Sequence, residues 1–174
     1  RQSGKSTLVR NFYSEHEYIS LETSDLRERA CRDPRGFFKS YGDKLILDEI
    51  QRAPELMSYI QSFVDEPGSK RHFVLTGSHN ILLMEKVTQS LAGRTAIAKL
   101  LPFSRRELWT SHKGCSLDEF MLTGGYPRIY DQRLDPTQWL SGYYQTYVER
   151  DVRSLLKVFE LDHFERFIRL CAGR

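Results

Sequence analysis

The chain has 174 residues, 40% apolar and 12% aromatic, enough for one domain with a sizeable core and part of a second. Charged residues are 28% of the total and mixed in sign, and a net charge of +3 is too small to attract a polyanion by field strength alone. Cys31, Cys115 and Cys171 are widely separated; they suggest neither a disulfide framework nor a zinc site, and a reducing, cytoplasmic setting is expected. No apolar run approaches the length of a membrane span.

The chain opens on "RQSGKSTLVRNF". Gly4-Lys5-Ser6 is the second half of the phosphate-loop pattern G-x-x-x-x-G-K-[ST]. The first glycine of that pattern would precede Arg1, so the chain is expected to be a clipped piece of a longer product. A helix through Phe12 follows Gly4, which places the amides of residues 3–7 at a helix N-terminus, where partial positive charge favours phosphate. Ser3, Gly4, Lys5, Ser6 and Thr7 are therefore the candidate nucleotide-binding residues. Lys5 would contact the terminal phosphates and Ser6 would ligate Mg²⁺. The same residues also suit a plain loop-to-helix cap with Lys5 in solvent.

Short apolar segments at 18–21, 44–48, 72–76 and 96–101 read as buried strands, with helices expected at 25–32, from Pro54 onward and at 81–91. Alternation of this kind predicts an α/β sheet with helices on its faces. The second strand ends in Asp48-Glu49, and acids at the carboxyl end of a strand stand where ligands bind in open α/β sheets. Asp48 is the candidate partner of Ser6 in holding Mg²⁺, and Glu49 the candidate base that polarises the attacking water. Two solvated acids capping a strand are the plainer alternative. The third strand ends in Thr76, Ser78 and Asn80; Ser78 is the first choice to face a γ-phosphate and Thr76 the second, against an ordinary turn at Gly77.

Beyond Pro102 the pattern is helical, at 104–109, 117–122, 139–159 and 164–171. The polar stretch at 110–114 marks a boundary between a core, 1–111, and an all-helical extension, 112–174, and "TGGYPR" is a second punctuation. On the long helix, Arg150, Arg153 and Lys157 form a basic stripe that suits a solvated face or a DNA backbone; Tyr143, Tyr144 and Tyr147 read as packing. The five histidines show no ligand spacing.

"GKSTL", "LILDEIQRAPEL", "FVLTGSHNILLM", "SLAGR", "LPFSRREL", "GGYPR" and "YYQTYVERDVRSLL" together resemble bacterial and archaeal AAA+-type ATPases in which an ATPase core precedes a C-terminal domain of unknown function. The resemblance implies a P-loop NTPase sheet whose central, phosphate-loop strand is missing here. Loss of that strand would leave backbone groups of its neighbours unpaired, and the piece is expected to be poorly stable and inactive. Arg52, Arg94 and Arg150 are candidates for extra positive charge on the γ-phosphate; Arg94 comes first because the resembling family carries an arginine in the "LAGR" segment.

The expected activity of the intact parent is Mg²⁺-dependent ATP hydrolysis coupled to a change in the C-terminal domain, with a protein or DNA target possible through that domain. The rival is a nucleotide-regulated binding module with little or no hydrolysis. A degenerate interaction domain without nucleotide is the third reading.

Overall fold

The computed structural model describes residues 2–77, 91–111, 116–147 and 161–173, and the chain divides into two compact units, Arg1–Leu101 and Pro102–Arg174. In the first, β1 (Glu17–Ser20), β2 (Lys44–Asp48) and β3 (His72–Leu75) form a parallel sheet in the order β1-β2-β3. Tyr18 lies opposite Ile46, and Ile46 opposite Val74. Parallel pairing requires crossovers, here made by α2 (Ser24–Arg32), α3 (Pro34–Lys39) and α4 (Leu56–Asp65). The carboxyl ends of all three strands therefore open on one edge.

The middle strand is buried on both faces, which explains its unbroken apolar run: Leu45, Ile46 and Leu47 are all at most 1% exposed. Leu45 and Leu47 join a core with Ile19, Leu21 and the buried face of α4, on which Leu56, Met57, Ile60 and Phe63 recur at helical spacing. Helix α3 was not among the expected helices. Pro34 sits in the first turn, where it fits, and the Asp33 carboxylate accepts from the Gly36 N–H at 3.0 Å. The short helix delivers Phe37 and Phe38 to the core.

The strand expected at 96–101 is not one. The segment is irregular, with Ile97 64% and Leu101 63% exposed. No described strand lies beside it, and an apolar sequence makes no ladder without a partner. The helix expected at 81–91 falls outside the described residues except for Leu91, which is buried in the core.

The second unit is helical: α5 (Arg105–Ser111), α6 (Leu117–Thr123), α7 (Pro127–Asp131), α8 (Pro136–Tyr147) and α9 (Leu161–Ala172). Helix α5 opens on a reciprocal cap, in which Glu107 accepts from the Ser104 N–H at 2.7 Å and Ser104 accepts from the Glu107 N–H at 3.3 Å. "GGYPR" is more than punctuation. The Phe103 N–H donates to the Gly125 carbonyl at 2.7 Å, and a β-carbon on Gly125 would stand 2.1 Å from the Phe103 carbonyl oxygen, so only glycine allows this approach. Tyr126 then packs on Trp139 and Tyr143 of α8, which stack with an interplanar angle of 9°. Arg150, Arg153 and Lys157 lie outside the described residues.

Candidate functional site

Four elements converge on one carboxylate at the carboxyl edge of the sheet. Asp48 ends β2 and is only 6% exposed. Its Oδ2 accepts from the Ser6 hydroxyl at 2.8 Å, across 42 residues of sequence. The Tyr18 hydroxyl of β1 donates to the same oxygen, and the Thr76 hydroxyl, just past β3, donates to Oδ1. Burial pushes this acid's pKa up; bonds from Thr76, Tyr18, Ser6 and the Glu49 backbone more than offset that and hold it below the ordinary aspartate value. The site is thus built around a carboxylate kept ionised among hydroxyls.

The turn that brings Ser6 there is written in the sequence. Gly4 takes φ +85°, a left-handed conformation that glycine adopts at no steric cost, and caps helix α1 (Lys5–Phe12). Ser6 follows on the first turn of that helix. Ser3 is 7% exposed, and its hydroxyl is buried without a hydrogen-bond partner among the described residues, an unfilled polar demand beside the loop. Lys5 is half-buried, and Thr7 is exposed. Across this edge, Leu21 N–H donates to the Asp48 carbonyl and Ile50 N–H to the Thr76 carbonyl, each within 3.1 Å, so the acid's own carbonyl is held from the β1 side and the chain two residues beyond it from the β3 side.

The family model for the AAA domain matches residues 1–109. The chain belongs to the AAA domain family. A second family model, for a domain of unknown function (DUF8612), matches residues 115–174. Similar proteins include the uncharacterized protein Rv2008c of Mycobacterium tuberculosis and the uncharacterized protein Mb2031c of Mycobacterium bovis. Each is 28% identical over 158 residues, covering 89% of this chain and 35% of its own length. The chain thus spans about a third of those relatives, and no solved structure matches it.

Within this AAA chain, the expected site residues are only partly gathered. Ser6 and Asp48 meet directly. Glu49 follows Asp48 at φ +59°, an unusual backbone for a residue with a side chain, and its carboxylate accepts from the Gln51 side chain rather than joining the hydroxyl cluster. Thr76 is on Asp48, whereas Ser78 lies outside the described residues. Arg94 is not brought to the cluster. Its Nε pairs with Asp65 at 2.5 Å, at the end of the helix that returns from the carboxyl edge toward the start of β3. Arg52 pairs with Glu22 at 3.3 Å.

Tyr18 was missed. A tyrosine in a short strand reads as packing; only the register, which sets Ser20 opposite Asp48, shows that a side chain two residues earlier on the same strand face can reach that acid.

Among the described residues no helix is long and apolar enough to cross a membrane, and no group of three or more His, Cys, Asp or Glu side chains could hold a metal unaided. Ser6 and Asp48 offer hard oxygen donors but too few to enclose an ion. That suits Mg²⁺, which keeps several waters and usually shares one or two protein ligands with substrate phosphates.

Proposed function

We propose that this chain carries the nucleotide site of an ATP-hydrolysing AAA module, with ATP held by Ser3, Gly4, Lys5, Ser6 and Thr7 and Mg²⁺ managed by Ser6 and Asp48. The observation that carries the reading is the Ser6–Asp48 bond at a glycine-capped helix start. The serine hydroxyl donates its hydrogen bond to the acid, which leaves the lone pairs of its oxygen available to a cation. The unpartnered Ser3 hydroxyl supports the same reading, since a phosphate oxygen would satisfy it. When bound, the metal would neutralise charge on the β- and γ-phosphates. Glu49 is the base in this proposal and Ser78 a γ-phosphate contact, with turnover driving a change in the C-terminal domain and its protein or DNA target; Arg94, paired with Asp65 away from the cluster, is given no part in it.

One observation favours the slower alternative, a nucleotide-regulated binding module. The Glu49 carboxylate is taken up by Gln51, and a base so engaged must turn before it can orient water.

Equilibrium binding of a fluorescent ATP analogue tests the reading. Lys5→Ala is expected to weaken binding about a hundredfold, the usual scale for deleting one partner of a charged contact. Glu49→Gln keeps binding and loses turnover. Equal affinity in wild type and Lys5→Ala would remove the phosphate-loop assignment, and equal turnover in wild type and Glu49→Gln would remove Glu49 as base.

A further inference from the structure

We propose that Tyr18 is a positioning residue of the metal site, supported by Arg10, and that the pair fixes the Asp48 carboxylate in the orientation that faces Ser6. The inference rests on the magnesium–nucleotide reading above and adds two residues to it. Ser6 and Arg10 are separated by one helical turn on α1 and so share a face. Ser6 reaches Asp48 directly. Arg10 lies 3.5 Å over the Tyr18 ring, and the hydroxyl of that ring donates to Oδ2, the oxygen that Ser6 uses. The contacts close a ring from α1 through β1 to β2 and back to α1, so the helix that carries the phosphate loop holds the acid by two routes.

Each route does different work. The Ser6 bond aligns a would-be metal ligand, but a single hydroxyl leaves a carboxylate free to rotate about its last bond. Thr76 on Oδ1 and Tyr18 on Oδ2 hold the plane of the group. Because the tyrosine is anchored by stacking under a guanidinium, its hydroxyl has little freedom to follow a moving acid. Partners of this outer kind set ligand orientation and so metal affinity.

The test titrates Mg²⁺ against binding of the fluorescent ATP analogue, with crystal structures of the variants beside it. Tyr18→Phe is expected to raise the half-saturating Mg²⁺ concentration about tenfold, the lower end for loss of an outer partner, with metal-free nucleotide affinity unchanged. Arg10→Gln, which keeps the hydroxyl, is expected to raise it about threefold. In the Tyr18→Phe crystal structure the Asp48 carboxylate turns away from Ser6. A carboxylate that keeps its place overturns the proposal, as does a Mg²⁺ requirement within about twofold of wild type, less than the loss of one hydrogen bond usually costs. A fall in the requirement also overturns it, because the hydroxyl would then stand where a metal-bound water belongs. If wild type binds no nucleotide at any Mg²⁺ concentration, the function proposed above fails while the crystal structures still decide the role of Tyr18.

Discussion

At the carboxyl edge of the sheet a buried acid receives hydroxyls from α1, β1 and the end of β3; at the amino edge a charged pair stays in water beside a partly buried histidine. Lys44, the first residue of β2, pairs there with Glu15, and the two side chains are 51% and 76% exposed. Beside them His16 Nε2 and His72 Nδ1 are 2.6 Å apart, with the Tyr13 ring 5.0 Å from His16 and 5.8 Å from His72. Both edges hold charge and hydrogen bonds. What separates them is that donors at one edge converge on a carboxylate that is only 6% exposed, whereas each member of the Lys44–Glu15 pair at the other can be replaced by solvent. Convergence with burial makes the first a candidate site.

If that difference is real, substitutions at the two edges should have unequal costs. The largest effect is expected from Asp48→Ala, which strands three hydroxyls, one of them on the buried Thr76. Unsatisfied donors of this kind should lower the stability read by urea unfolding by about 2–4 kcal/mol. A loss well under about 1 kcal/mol would mean that the cluster rearranges to serve itself, and the contrast with the amino edge would fail.

A smaller effect is expected at the amino edge, and it depends on pH. His16 has its pKa held below the ordinary value, first by burial and then by the nearby His72 and Lys44, with Glu15 acting the other way. The neutral ring is thus favoured in the folded protein, and its Nδ1 is buried without a hydrogen-bond partner among the described residues. The unfolded chain binds the proton more readily, so this contribution is complete above the ordinary histidine value of about 6.5 and is lost as pH falls below it toward the depressed folded value. The urea midpoint should decline from about pH 7.5 to about pH 5.5, and His16→Gln should flatten that decline. An unchanged slope in the variant would take His16 out of the balance.

Much of the carboxyl edge was legible in the sequence because its chemistry is local. Gly4-Lys5-Ser6 announces a loop and a helix start within three residues, and the apolar run before Asp48 announces a strand buried on both faces. What escaped depends on neighbours distant along the chain. Tyr18 becomes part of the site through strand register, and Arg10 through stacking on it. Helix α3 was hidden because Pro34 and Gly36 break a helix in its middle but suit its first turn under an Asp33 cap. The stretch at 96–101 erred the other way: its apolar residues state a preference for a sheet, and no described strand accepts it. Pairing of His16 with His72 across 56 residues carried no spacing signal at all.

Lys44→Gln should be the mildest change, and it sharpens the comparison because it removes a contact without disturbing a core. Lys44 lowers the Glu15 pKa by hydrogen bonding and by its charge, yet both side chains keep water as a ready substitute. The urea midpoint at neutral pH is therefore expected to stay where it is. The ammonium group also faces His16 and is one of the charges that disfavour its protonation. Removing it should move the His16 titration, followed by ring-proton NMR, slightly upward, though burial remains the main cause of the depression. A clear loss of stability at neutral pH would show that the exposed pair does for the amino edge what the buried cluster does for the other, and the distinction drawn between convergence and mere proximity would go with it.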